Sequence, residues 1–341
     1  MTNRIVRPEE RTRGGEGRRE TGRYLVRLRN PLRSRAAALV AGFVEPGSSR
    51  NGRRLLPLLA LGPAFGVVAG LFAGGIGVAI GQSLGIFSPI GESGPSLRHY
   101  LALVEDREFR ESVCQTVGLA GVTTLLSALF GTMLALSIRR LAGRYRLVSI
   151  LIQIPLAIPH LSMAIFLISL LAPSGLLARL AFAGGLIDGQ VDFPILINDR
   201  LGIGVVLAYL LKEIPFVSIV LLTLLVRQGN DFEEVARTLG ATGWQRLYYV
   251  TIPLLAPAAL SASLMVFTFV IGAYETPRLL GRTWPAFLPV IAQQRYMDTD
   301  LTRRPGAIAV AVILSLLTAS LVWIYLRLTE RWTAAERTLL F

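Results

Sequence analysis

Long apolar runs separated by short polar stretches divide this chain more sharply than any local motif. A helix needs roughly 20 mainly apolar residues to cross a hydrocarbon core about 30 Å thick. Six runs meet that length: Leu55 to Ile80, Ser112 to Ile138, Leu147 to Leu171, Leu201 to Val226, Leu254 to Ala273 and Gly306 to Leu326. The pattern predicts an all-α integral membrane protein with six transmembrane helices. The first run follows 54 other residues and is itself long, so it predicts a retained span rather than a cleaved leader. It also carries Gly62, Gly66, Gly70 and Gly74, a four-residue ladder that suits close helix packing. In the third run Pro155 and Pro159 predict a bent or discontinuous helix, and in the fourth Pro215 predicts a local break.

Composition then removes several functions. Of 341 residues, 52% are apolar and 17% charged, with 35 basic against 22 acidic side chains and a net charge of +13. Lys212 is the only lysine and no glycine run precedes it, so the chain has no P-loop for nucleotide phosphates and is not expected to hydrolyse ATP itself. One cysteine, Cys114, excludes an internal disulfide and a cysteine-based zinc cluster, and two histidines leave no metal constellation. HExxH and paired intramembrane histidines are absent, which argues against a membrane enzyme.

The arginines set an orientation. With the amino terminus cytoplasmic, 24 arginines fall in inside segments and 10 in outside segments, which predicts a multi-pass membrane protein with both termini inside. Residues 1–54 carry 14 arginines and 5 acids. Their glycine-rich start predicts disorder, and the mixed basic and apolar text from Arg23 to Val44 suits a helix lying on anionic lipid. No aromatic stacking series accompanies this arm, so its expected partner is lipid and not nucleic acid.

The polar segment 227–253, between the fourth and fifth spans, is organised. Asp231 and Glu234 have capping-box spacing and predict a short helix through Thr238, with acids in the first turn where the helix dipole favours them. Gly240 predicts the stop, a second short helix is expected over Thr242 to Tyr249, and Ile252 with Pro253 is read as the loop's close. So short a helix needs packing against the membrane domain or a partner.

This segment resembles the EAA loop of type I binding-protein-dependent ABC importer permeases. Glu234, Val235 and Ala236 take the EAA places, Gly240 the glycine, and Val250, Thr251, Ile252 and Pro253 the closing I-x-L-P, all at matching spacing. The segment GAYETPRLLG from Gly272 to Gly281 and KEIPF from Lys212 to Phe216 are similar to stretches in permeases of the polyamine, ferric iron and thiamine type. The resemblance implies a five-helix permease core, with the first span and the arm outside it. It also implies a second permease subunit, two cytoplasmic ATP-binding subunits that hold ATP and Mg, and an extracytoplasmic solute-binding protein. No cofactor is implied for this chain. The coupling residues carried over are Glu233, Glu234, Val235, Ala236, Gly240, Ala241, Val250, Ile252 and Pro253. Solute choice is implied to be polyamine first, with ferric iron, thiamine or a phosphonate behind it. The rival reading is a secondary transporter driven by an ion gradient, but no internal repeat accompanies it.

Charges inside spans are costly and must face protein or water. Lys212, Glu213 and Pro215 in the fourth span, and Glu275 at the outer end of the fifth, are therefore candidate lining of the translocation path, a structural ion pair being the alternative for Lys212 with Glu213. Glu275 with Arg278 reads equally as an interfacial pair, His160 as a satisfied helix-end residue, and Cys114 as inert.

Overall fold

The computed structural model describes residues 50–86, 94–140, 145–229 and 231–339, so the amino-terminal arm lies outside the described residues. Two units divide the chain, Met1–Phe72 and Ala73–Phe341. Of the first, the described part is the beginning of α1 (Arg50–Ser83).

The second unit continues with α2 (Arg98–Glu105), α3 (Arg107–Arg140), α4 (Tyr145–Ala157), α5 (His160–Leu171), α6 (Leu176–Ala183) and α7 (Ile203–Gln228). After these come α8 (Asp231–Thr238), α9 (Gly243–Arg246), a π turn over Leu247–Thr251, α10 (Ile252–Gly272), α11 (Glu275–Leu280), α12 (Leu288–Tyr296) and α13 (Arg304–Leu339). No strand occurs among the described residues. Among the described residues, six helical stretches are long and apolar enough to cross a membrane: Leu61–Ser83, Arg107–Arg139, His160–Ala183, Ile203–Arg227, Gly243–Gly272 and Leu301–Glu330.

The core is built around α7, which packs against α3, α4, α5 and α10. Val205, Tyr209, Val217 and Leu221 on it are wholly buried. Its contact with α3 is close because Gly131 has no side chain: a Cβ there would lie 2.7 Å from the Val217 Cβ and 3.1 Å from the Ile214 carbonyl oxygen. Small residues permit this approach in a membrane, where dispersion rather than water exclusion holds helices together.

The third span is discontinuous, as its two prolines predict, and the break falls at Ile158 and Pro159 between α4 and α5. The predicted Leu147 to Leu171 is thus divided between α4 and α5, and the stretch of sufficient apolar length there is His160–Ala183, which takes in α5 and α6. By contrast α7 runs unbroken through Pro215, against expectation. One proline removes one backbone donor, and packing on several sides outweighs that loss, whereas Pro155 and Pro159 remove donors from successive turns.

The stretch after α10, read from sequence as an external loop, folds back into the core. Thr276, Pro277, Leu280, Phe287, Leu288, Val290 and Ile291 are buried, and the Leu288 amide donates to Thr116 Oγ1 at 3.0 Å. Gly281 is required here, since a Cβ would meet the Pro277 carbonyl oxygen at 2.5 Å and the Phe287 ring at 2.6 Å.

Candidate coupling site

The segment between α7 and α10 begins with α8, whose sequence DFEEVART places three acids in the first turn, complementing the helix dipole. The helix includes Asp231 itself, so that residue is in the first turn rather than before it. Its end is a Schellman motif: the Gly240 amide donates to the Arg237 carbonyl and the Ala241 amide to the Ala236 carbonyl, both at 3.0 Å. Gly240 supplies the left-handed turn with φ +84°. A Cβ there would meet nothing within 4 Å, so backbone conformation alone demands the glycine.

The capping box is at the next helix. The Thr242 amide donates to Gln245 Oε1 at 2.8 Å and the Gln245 amide to Thr242 Oγ1 at 3.4 Å, which starts α9. That helix does not stop at Tyr249. Its last turn widens into the π turn, where the Ile252 amide donates to the Leu247 carbonyl five residues back, and α10 follows without interruption. Pro253 follows directly on the π turn and has no N–H with which to continue its hydrogen-bond ladder. Val250, Ile252 and Pro253 are therefore part of the helix leading into the fifth span and not the close of a loop.

Glu233 holds the pieces together. Its Oε1 accepts from Arg139 Nη1 at 2.5 Å and from Thr251 Oγ1 at 2.7 Å. Arg139 Nη2 also donates to the Gly229 carbonyl at 3.1 Å, just past the end of α7. One carboxylate and one guanidinium thus join the ends of α3 and α7 to α8 and to the helix entering α10. Partial burial raises the Glu233 carboxyl, but hydrogen bonds from Thr251 and Arg139 and the charges of Arg139 and Arg246 outweigh it and hold the group below its ordinary range. Beside this junction is a cavity of about 380 Å³ lined by Arg139, Glu233, Arg246 and Thr251.

Glu234 and Val235 point outward from α8, and Ala236 is half-buried. Phe232, Val235, Leu239, Trp244, Tyr248, Tyr249 and Ile252 are all exposed, an apolar surface on elements otherwise rich in charge. Sequence reasoning missed Arg139, Thr251 and the Thr242 cap. The last had a readable signal, Thr-x-x-Gln, while Arg139 is 94 positions from Glu233 and had none.

The candidate path residues are placed differently. Lys212 and Glu213 are buried in α7 at 5% and 8% exposure, yet they form no ion pair with each other. Lys212 Nζ donates instead to the Ile158 carbonyl at the α4–α5 break, satisfying an acceptor that Pro159 helps to free. His160 opens α5 and packs on Phe269 with ring centroids 4.7 Å apart. Glu275 is exposed at the start of α11, and Glu275 and Arg278 are likewise not an ion pair. Cys114 is exposed. No group of three metal-ligating side chains occurs among the described residues.

The family model of binding-protein-dependent transport system inner membrane components matches residues 127–334, which takes in α7 through α10 and the whole junction. The chain belongs to this family. It is a multi-pass permease subunit of the ABC importer type. The permease is 28% identical over 245 residues to sulfate permease 2 of the Chlamydomonas reinhardtii chloroplast, covering 70% of this chain and 62% of that one, just under two thirds of the relative's length. It is 24% identical over 221 residues to the spermidine/putrescine transport system permease protein PotB of Haemophilus influenzae, covering 64% of this chain and 74% of that one. Its fold is similar to a chain of the bacterial alginate ABC transporter crystallised with an alginate pentasaccharide-bound periplasmic protein, with a TM-score of 0.68 and 18% identity over 83% of this chain and 96% of that chain.

Proposed function

We propose that this permease forms one half of a solute path whose work is supplied by separate cytoplasmic ATP-binding subunits, and that this work enters through α8. The observation that carries the reading is the shared Glu233 oxygen. A displacement of α8 is transmitted by Arg139 to α3 and by Thr251 to α10 without a flexible element between them. The exposed Phe232, Val235 and Leu239 supply the apolar surface that a partner's cleft would cover, and Gly240 fixes where the helix ends. ATP and Mg belong to the partner subunits, a second permease subunit completes the path, and an extracytoplasmic binding protein delivers the solute. Both termini are cytoplasmic, which puts α8 on the ATPase side.

The solute reading is a small charged species with polyamine the first to test, supported by the similarity to PotB; similarity to a sulfate permease makes an oxyanion the competing choice. Lys212, Glu213, Pro215 and Glu275 remain the proposed path residues, with Lys212 acting through the break in the third span.

The deciding experiment is ATP-dependent uptake in proteoliposomes carrying the complete transporter. Gly240→Asp is expected to insert normally and to abolish uptake while the ATPase subunits still hydrolyse ATP. Normal uptake by that variant would refute the assignment, as would solute movement down an ion gradient by this chain alone.

A further inference from the structure

The cavity of about 380 Å³ beside the Glu233 junction carries an unbalanced charge. Two guanidiniums line it, Arg139 and Arg246, against one carboxylate, Glu233. Glu233 Oε1 already accepts from Arg139 and Thr251. Arg246 is left over: its guanidinium donates to no described residue, forms no ion pair among them, and its Nε is shut off from water. A desolvated donor without an acceptor is costly, so an anion that supplies one is favoured there. The surroundings are those of a membrane–water boundary. Trp244, Tyr248 and Ile252 are exposed at four-residue spacing along the helix that enters the fifth span, on the face next to Gly243, Leu247 and Thr251 of the cavity wall. Tryptophan and tyrosine gather at the headgroup level of a bilayer. On α3, Leu136 lines the cavity, and Met133 and Leu129 on the turns before it are exposed, so apolar surface runs from the cavity toward the middle of the span.

We propose that this cavity binds the phosphate of an anionic phospholipid headgroup, with the acyl chains lying along the exposed surfaces of α3 and of the helix entering the fifth span. A phosphodiester brings both the negative charge and the acceptor oxygens that the Arg246 guanidinium lacks. The aromatic stripe decides the source of that phosphate. A free phosphate would satisfy Arg246 but would leave Trp244, Tyr248, Met133 and Leu129 uncovered, whereas a phospholipid engages the charge and the apolar surface together. In sequence, Arg140, Arg144 and Arg146 follow Arg139, adding to the attraction for a negatively charged leaflet. The site requires only that the fifth span cross the bilayer. It depends neither on which compartment α8 faces nor on an ATPase meeting it.

Trp244 serves as a built-in reporter. The full chain would be reconstituted in phosphatidylcholine nanodiscs holding a small fraction of lipid with dibrominated acyl chains, which quench tryptophan on contact, as either phosphatidylglycerol or phosphatidylcholine. The Trp244 signal is the difference between each protein and its Trp244→Phe counterpart, so the other three tryptophans cancel. Brominated phosphatidylglycerol is expected to quench Trp244 at an about fivefold lower membrane fraction than brominated phosphatidylcholine, the factor that one arginine supplies at an anionic headgroup. Arg246→Gln is expected to abolish the preference and Arg246→Lys to keep most of it. The arginine-rich amino-terminal arm is the same in every variant, so its own attraction for anionic lipid does not score. Equal quenching by the two lipids, an undiminished preference in Arg246→Gln, or a loss as complete in Arg246→Lys overturns the proposal. Absence of quenching by either lipid means that protein covers the stripe, and overturns it too. Full reversal of the preference by millimolar inorganic phosphate at matched ionic strength overturns it in favour of a free-anion site. None of these measurements involves ATP, so failure here leaves the α8 assignment standing, and loss of that assignment leaves this site standing.

Discussion

Glu233 accepts from Arg139 and Thr251 through one oxygen, at a place where the recognised pattern centres on the neighbouring Glu234, Val235 and Ala236. The spacing that marks the segment therefore reads the outward surface of α8, while its anchor is the adjacent acid. The anchor was only half legible: Glu233 was a candidate by proximity, but Arg139 was an orientation marker in an arginine count, and no local rule links residues in different helices. The pair is partly buried, with side-chain exposures of 19% for Arg139 and 29% for Glu233, so it should exceed an ordinary surface pair. A double-mutant cycle of Glu233→Gln and Arg139→Met, followed by unfolding in detergent micelles, should return a coupling of about 1–2 kcal/mol. The pH dependence has a definite sign. Because the folded carboxyl titrates below its ordinary value of 4.5, its contribution is complete above that pH and is lost as pH falls through the lower folded value. The stability gap between wild type and Glu233→Gln should be flat above about pH 4.5 and close below it. A gap that widens on acidification would contradict the assignment.

Among the elements, prolines illustrate how much of the fold the chain discloses. Pro155 and Pro159 lie one turn apart and the third span breaks beside the second of them, with the Ile158 carbonyl met by Lys212. Pro215 stands alone in α7, flanked by Val217 and Ser218 at 0% exposure, and there packing keeps the helix whole. Local chemistry was equally suggestive in both cases, and tertiary packing, which a single sequence does not display, separated them. The fold-back of α11 and α12 was missed for a related reason: the stretch was counted as an outside segment between two spans despite its five arginines, although the run from Phe287 to Ala292 is apolar enough to be buried. The α3–α7 contact offers the sharpest test of packing. Gly131→Leu puts its Cβ 2.7 Å from the Val217 Cβ and has a backbone carbonyl 3.1 Å away, so the helices must separate. A loss of about 1–3 kcal/mol is expected in the same unfolding measurement, partly recovered by adding Val217→Ala. An unchanged stability in Gly131→Leu would mean that the two helices are not so closely apposed.

For the whole molecule, α3 sets the distance over which the two ends communicate. Its 34 residues span about 50 Å at 1.5 Å per residue, well over a hydrocarbon core of about 30 Å, so both ends must emerge from it. One end carries Arg139 and the α8 junction, and the other carries Arg107, Arg110 and Cys114. If α8 meets an ATPase in the cytoplasm, that other end must face the opposite compartment, and the excess of arginines in the α8-side segments points the same way. The orientation can therefore be read with a membrane-impermeant sulfonate reagent. In sealed right-side-out vesicles Cys114 should be labelled. In a Cys114→Ser background, Arg237→Cys on the exposed face of α8 should be labelled only after the vesicles are turned inside out. Labelling of Arg237→Cys from the outside would invert the protein and remove α8 from the reach of any cytoplasmic ATPase, whatever the strength of the Glu233 junction. Labelling of both positions from one side would mean that α3 does not cross, and the two faces would then have no rigid link between them.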